Sequence, residues 1–265
     1  MLKDITIGQY YRENSVIHRL DPRVKLFGTM VFLVSLFVSD NIWGYLVATL
    51  VLISVIKLSR VPFKFIVRGL KAVVILLLIS VSFNIFSTPG TVIARVWILK
   101  ITKEGLINAG YMAVRLIYLI IGSSLMTLTT TPNDLTDGLE KSLGFLRKIK
   151  IPVHEIAMMM SIALRFIPIL MEETDKIMRA QMARGADFES GGIIKRAKNM
   201  IPLLVPLLIS AFRRANDLAT AMDARCYRGG EGRTKMKPLK YKKSDGVAYL
   251  LYVVYLGIIV GANYI

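Results

Sequence analysis

Residues 151–185 read IPVHEIAMMMSIALRFIPILMEETDKIMRAQMARG, and the change of character along this stretch decides how the chain is built. Pro152 suits the start of a helix, and the helical pattern then runs on to about Arg184. As far as Leu170 the segment is apolar nearly all round, through Met158, Met159 and Met160 and through Ala163-Leu-Arg165-Phe-Ile-Pro168. Beyond it, Glu172, Glu173, Asp175, Lys176 and Arg179 make the same helix water-soluble. The expectation is one helix that begins buried and ends exposed. At about 1.5 Å per residue it reaches roughly 45 to 50 Å, enough to run along a complex rather than within one small domain.

Its last peptide is Ala180-Gln-Met-Ala183-Arg184-Gly185, with the glycine as a stop signal. The design recurs. After Gly191-Gly192 and the basic Lys195, Arg196 and Lys198, an apolar half beginning Ile201-Pro202-Leu-Leu-Val-Pro206 gives way to Arg213, Arg214 and Asp217, and ends in Ala221-Met-Asp-Ala224-Arg225-Cys226. Gly229 and Gly230 are expected to close this second helix, and Pro168 and Pro206 to bend the pair. Neither apolar half is long and clean enough to be read as a membrane span. An arginine at a helix C-terminus has a plain structural role, because a cation there interacts favourably with the helix dipole by about 0.3 to 1 kcal/mol. Two matching peptides at the ends of two matching helices point further, to a pair of equivalent docking points. A guanidinium fork gripping a partner's carboxylate is the natural contact, and lysine would be a poor substitute.

The chain around these helices is a membrane protein. Of 265 residues, 54% are hydrophobic, and the mean hydropathy of +0.53 is too high for an ordinary soluble domain. The formal charge of +17 would suggest nucleic acid in a soluble protein. Here the Lys and Arg residues cluster between apolar runs, so an anionic lipid surface and acidic protein partners account for them instead. A single cysteine, Cys226, excludes an internal disulfide, and two distant histidines, His18 and His154, argue against zinc. The first 25 residues are mixed in charge and lack the apolar core of a cleavable signal.

Five spans are expected. Leu26–Val38 and Gly44–Ile56 form a tight helical hairpin with Trp43 at the interface, and a third span covers about Val67–Phe86. A fourth covers Leu106–Leu128, and the last covers about Gly246–Ala262, where Gly257-Ile-Ile-Val-Gly261 should permit close packing within the chain. Arg115 falls inside the fourth span and should point into the bundle. Thr131-Pro132-Asn133-Asp134 starts an amphipathic helix with Leu135, Leu139, Leu143 and Leu146 on one face. Residues 1–25, 57–71 and 132–244 hold 5, 5 and 21 Lys and Arg, against 3 in residues 88–104. The positive-inside rule therefore puts the N-terminus and the 132–244 region on the cytoplasmic side. The resulting division is a membrane region at 1–131, a coupling region with the two arginine-ended helices at 132–244, and a final span at 245–265.

Chemistry of its own is absent from this pattern. There is no G-x-x-x-x-G-K-[ST] loop for a nucleotide, no G-x-S-x-G elbow, no H-E-x-x-H helix and no carboxylate pair within a span. Glu172 and Glu173 are adjacent, so they point to different faces and read as solvated charges. Met158, Met159, Met160, Met171, Met178 and Met182 are either filling for an irregular core or a pliable surface that re-packs against changing partners.

Ser15 to Lys25 ahead of the first span, Ile151-Pro-Val-His-Glu155 with Ala163-Leu-Arg165-Phe-Ile-Pro168, and above all the two arginine peptides resemble the transmembrane T component of energy-coupling factor transporters, the bacterial vitamin and micronutrient importers. The resemblance covers essentially the whole chain. It implies a multi-pass, all-α protein of the bacterial plasma membrane, with long amphipathic coupling helices on the cytoplasmic side. It implies a non-catalytic subunit with no cofactor, partnered by two cytoplasmic ATP-binding subunits and by one small membrane S component, or several interchangeable ones. It also implies that Ala183-Arg184-Gly185 and Ala224-Arg225-Cys226 each dock into one ATPase, with Met158, Met159, Met160 and Met171 as candidates for the S-component surface. Cys226 departs from the glycine usual at its position. The resemblance favours the shared type of T component over one dedicated to cobalt, nickel or biotin. A self-contained transporter or channel, and a membrane scaffold for an unrelated cytoplasmic complex, stand as alternatives from the residues alone.

Overall fold

The structure is a computed structural model that describes residues 10–39, 41–71, 73–96, 99–188, 192–230, 236 and 238–263. In chain order the elements are α1 (Val16–Arg19), α2 (Pro22–Val38), α3 (Ile42–Ser59), α4 (Phe63–Lys71), α5 (Val74–Ser87), a hairpin of β1 (Val92–Val96) and β2 (Leu99–Thr102), α6 (Lys103–Thr129), α7 (Pro132–Ser142), a 3₁₀ segment (Leu143–Ile149), α8 (Val153–Ala183), α9 (Ile193–Ala224) and α10 (Lys243–Ala262). The protein is all-α apart from the short antiparallel hairpin. Among the described residues its contacts divide it into two units: Leu143–Pro238, which holds α8 and α9, and the residues up to Ser142 together with those from Leu239.

By length and composition, α3, α6, α8 and α10 can each cross a membrane, and α4 with α5 passes as one span bent by 60°. Helix α2, at 17 residues, is slightly shorter than the roughly 20 of an unaided span. The third expected span is therefore two pieces. Qualification of α8 differs from expectation, because Pro168 does not interrupt the helix and Glu155 and Arg165 are the only Asp, Glu, Lys or Arg residues as far as Leu170.

Side-chain contacts fix the directions of the helices in the membrane unit. Gly28 lies against Tyr252, and Ser35 and Tyr255 share a 2.6 Å hydrogen bond, so α2 and α10 run parallel. Lys25 reaches Thr129 while Phe32 covers Gly122, so α6 runs against α2. Arg115 meets Tyr45, and Thr49 meets Tyr118, which makes α3 parallel to α6. Gly69 faces Ser124 and Gly105 faces the Ile85 carbonyl, so the α4–α5 pair opposes α6. Direction thus alternates along α2, α3, α4–α5 and α6, and α10 again runs with α2. This alternation of direction is the one that successive membrane crossings require.

The core of this unit is built from Val31, Phe32 and Leu36 of α2, Ala48 and Leu52 of α3, Ile121 and Leu125 of α6, and Tyr255 and Ile259 of α10. The close approaches are made by Gly28 and Gly122, where a side chain would enter a neighbouring ring. Gly257 and Gly261 do not serve this purpose: both face open space, while α10 buries Ala248, Tyr255, Ile259 and Ala262 on another face. The G-x-x-x-G pattern is therefore not an intramolecular seam. Gly257→Ala with Gly261→Ala is expected to leave the thermal stability of the purified protein undiminished, since no Cβ clash arises and alanine has the higher helix propensity.

Arg115 points into the bundle as expected, but at a particular level. Its Nε donates to the Tyr45 hydroxyl at 2.9 Å and its Nη2 to the Ser39 carbonyl at 3.4 Å, with Phe37 beside it. Ser39 caps α2 and Tyr45 sits in the first turn of α3, so the guanidinium lies at the α2–α3 turn. Helix α6 has 27 residues, about 40 Å, and its first three turns with the hairpin reach beyond that level. The charge thus meets polar groups near one end of the bundle rather than its centre.

Candidate functional site

Helices α8 and α9 pack as an antiparallel pair, and three contacts set their register. His154 lies against the backbone of Gly230, Arg214 Nη2 pairs with Glu173 Oε2 at 3.1 Å, and Asn199 Nδ2 donates to the Asp187 carbonyl at 2.6 Å. Glu173 is thereby anchored, while its neighbour Glu172 is exposed. The pair is partly exposed and contributes at most about 1 kcal/mol, so its value is in register more than in stability. Helix α9 begins at Ile193, earlier than the apolar pattern suggests, and continues through Pro202 and Pro206 for 32 residues. Four residues apart, the two prolines place their missing N–H groups on one face.

Both helices end in the same closure. Ala186 N–H donates to the Gln181 carbonyl and Gly185 N–H to that of Met182, each at 3.0 Å. Tyr227 N–H donates to Met222 at 3.1 Å and Cys226 N–H to Asp223 at 2.9 Å. These are two copies of the six-to-one and five-to-two bonds of the Schellman motif, and they make Arg184 and Arg225 the cap residues. The caps have nearly equal backbones, φ −89° and ψ 9° for Arg184, φ −96° and ψ 15° for Arg225. Each arginine is exposed, and neither guanidinium has a hydrogen-bond or ion-pair partner among the described residues. Because the helices are antiparallel, the two arginines lie towards opposite ends of the pair, and in the register of those three contacts they are about 35 Å apart along the axis.

The closing residue of α9 differs from expectation. Cys226 itself takes the left-handed conformation, φ +54°, where α8 has Gly185 at φ +87°, and Gly229 lies beyond the closure. The six-to-one bond requires that turn immediately after the cap, so a glycine three residues later cannot supply it. A Cβ in this region is strained. Cys226→Gly is expected to stabilise the last turn of α9 by about 0.5 to 1 kcal/mol, read as slower amide exchange at Cys226 and Tyr227.

Among the methionines, Met159 and Met160 are exposed and Met158 and Met171 half-buried. Ile156 and Ile167 on the same helix are also exposed, and α8 buries only Val153 and Ala157. Within the Leu143–Pro238 unit Met159 and Met160 are surface, not core. Among the described residues no three His, Cys, Asp or Glu side chains gather to hold a metal ion.

A second constellation joins helix ends in the membrane unit, and spacing alone could not reveal it. Ser15 caps α1 and bonds His18, whose other ring nitrogen meets the Tyr11 carbonyl at 2.9 Å. Asp21 caps α2 and accepts two bonds of 2.9 Å from the Arg23 guanidinium, which lies 3.8 Å over the Tyr241 ring. Burial alone would raise the Asp21 carboxyl, but the hydrogen bonds and charge of Arg23 hold it below the usual range. Burial lowers His18. Asp245, fully buried, accepts from the backbone N–H of Asp21 at 3.0 Å and of Lys242 at 2.7 Å, linking the starts of α2 and α10. Lys25, 8% exposed, donates to the carbonyls of Thr129 at 2.8 Å and His18 at 3.1 Å, closing the ends of α6 and α1. The charged arm from Ser15 to Lys25 is thus largely occupied inside the chain.

The family described as cobalt transport protein, CbiQ, matches residues 13–236. The chain is 54% identical over 256 residues to an energy-coupling factor transporter transmembrane protein of Clostridium kluyveri, covering 96% of this chain and 95% of that one. It is 54% identical over 249 residues to the protein of the same name from Thermosediminibacter oceani, covering 94% of each. With the Bacillus subtilis protein of that name it is 48% identical over 246 residues, 92% of this chain and 93% of that one. A helical membrane protein with two identically capped arginine ends and near-full-length identity to these proteins is placed without ambiguity: the chain belongs to the family of non-catalytic transmembrane T components of energy-coupling factor transporters.

Proposed function

We propose that the Leu143–Pro238 unit receives ATP-driven movement from two cytoplasmic ATP-binding subunits through Arg184 and Arg225 and passes it to a small membrane S component. The observation that carries this reading is the pair of matching caps. Two antiparallel helices with equivalent ends have an approximate two-fold relation, which suits two related ATPases, one at each arginine. Closing the ATPase pair on ATP would draw the docked ends together and tilt α8 and α9. Ala183, Gly185, Ala224 and Cys226 flank the two arginines in this role, and the small side chains let a partner's groove approach the helix end.

The apolar half of α8, with Met158, Met159, Met160 and Met171, is the surface we assign to the S component. Thioether side chains adapt to different partners at little cost, which fits one T component serving several interchangeable S components. The substrate-neutral name of the relatives at about 50% identity supports this shared type over a cobalt-dedicated one. We place the N-terminus and the two arginine ends in the cytoplasm, because 31 of the 35 Lys and Arg then lie on that side, and with their ends pointing opposite ways α8 and α9 must then lie along that face rather than cross the membrane.

The test is purification of the chain in mild detergent from its own cells, with mass spectrometry of what accompanies it. Two related ATP-binding proteins and more than one small membrane protein are expected. A second expectation is that the chain purified alone shows no ATP turnover. Turnover without partners would overturn the reading, and so would an accompanying set that lacks ATP-binding proteins.

A further inference from the structure

We infer that α4, with the end of α3, forms an anionic-phospholipid site that fixes the chain at one membrane interface. The helix has three sides with different surroundings. Ile66 is fully buried, Gly69 faces Ser124 of α6 and Phe65 meets the Tyr11 ring, so one side is packed. Phe63, 63% exposed, and Val67, 38% exposed, lie next to that side. Lys64 and Lys71 follow on the next arc and are exposed. Around the helix the order is protein, exposed apolar edge, basic edge. A helix lying in the headgroup plane needs this sequence of surroundings, with acyl chains meeting the phenyl ring and phosphates meeting the ammonium groups.

Position and charge point to the same occupant. Helix α3 is a span, and Lys57 and Arg60 at its end are exposed beside α4. Arg60 takes φ +56° as the cap, so the chain turns sharply there before Pro62 begins the new direction. The bent pair reads as a broken span, and its 60° bend turns α4 away from the line of α5, so that α5 carries the crossing part and α4 stays at the interface. No Asp or Glu occurs from residue 41 to residue 103, and Lys57, Arg60, Lys64 and Lys71 form no ion pair among the described residues. Four uncompensated cations beside an exposed phenyl group, at the end of a span, are complementary to a lipid with an anionic headgroup.

The test is local, because other basic segments of the chain also attract anionic lipid. A single tryptophan is placed at the site by F63W with W43F and W97F, and the full chain is reconstituted with brominated phosphatidylglycerol or brominated phosphatidylcholine at equal fractions. Quenching by brominated phosphatidylglycerol should exceed that by phosphatidylcholine, with a relative association at least about five-fold higher, the factor that one lysine near such a surface supplies. Adding K57Q, R60Q, K64Q and K71Q should bring the ratio close to one, while K57R, K64R and K71R should preserve it. Equal quenching by the two lipids overturns the proposal, as does a preference that survives in the glutamine variant. Absence of quenching by either lipid also overturns it, since Phe63 would then not face acyl chains.

Discussion

Arg184→Ala combined with Arg225→Ala is expected to release both ATP-binding subunits from the assembled transporter and abolish ATP-driven uptake, while the protein still inserts and accumulates. Truncating a hydrogen-bonded interfacial arginine costs roughly 2 to 5 kcal/mol, much of it from the partner carboxylate left behind. The two sites are far apart and share no neighbours, so their losses should add. Each single change should then weaken association by about 30-fold or more, and the double change should leave none at cellular concentrations. Lysine should rescue only in part, because it cannot reproduce the planar fork. The plain structural role makes a different forecast. If the arginines only cap their helices, each change lowers stability by about 0.3 to 1 kcal/mol, and co-purification stays normal.

The second large effect is expected at Lys25. Lys25→Met keeps the length of the apolar stem but removes the ammonium from a buried position where it bonds the carbonyls of Thr129 and His18. Burial works against the charged ammonium more strongly than Asp134, Asp21 and Asp245 attract it, so the loss comes from the carbonyls left behind rather than from the charge. A buried carbonyl left without its donor costs about 1 to 3 kcal/mol, and two such losses, offset in part by no longer burying a charge, give an expected loss of roughly 2 to 4 kcal/mol. For a chain of this size that corresponds to a fall of about 5 to 10 °C in Tm in detergent. A Tm unchanged within about 2 °C would show that the arm is held by its apolar contacts, Leu20 and Val24 against Ala248.

The functional ends were more legible in the sequence than the packing around them. Thr131-Pro132 announced α7 through local chemistry, and the capping bond from Asp134 N–H to Thr131 Oγ1 is present at 3.1 Å. The A-x-x-A-R peptides announced helix ends because caps are also local. By contrast, the bond between Asp21 and Asp245 joins residues 224 positions apart, and no spacing rule relates them. The glycines show the same limit: Gly257 and Gly261 carried the recognisable pattern, yet Gly28 and Gly122 make the close contacts, because what faces a glycine is decided by another helix. Cys226 lies between these cases. The helix end was local and readable, but a non-glycine residue adopts the left-handed turn, which propensity disfavours.

The central claim is that each arginine end meets one ATP-binding subunit. It is tested most directly by placing a photo-crosslinking residue at Ala183 or at Ala224 in the assembled transporter, with Leu251 on the exposed face of α10 as the control. The account predicts that position 183 captures one ATP-binding subunit, position 224 captures the other, and position 251 captures neither. Capture of only lipid or only the small membrane protein from both helix ends would contradict it.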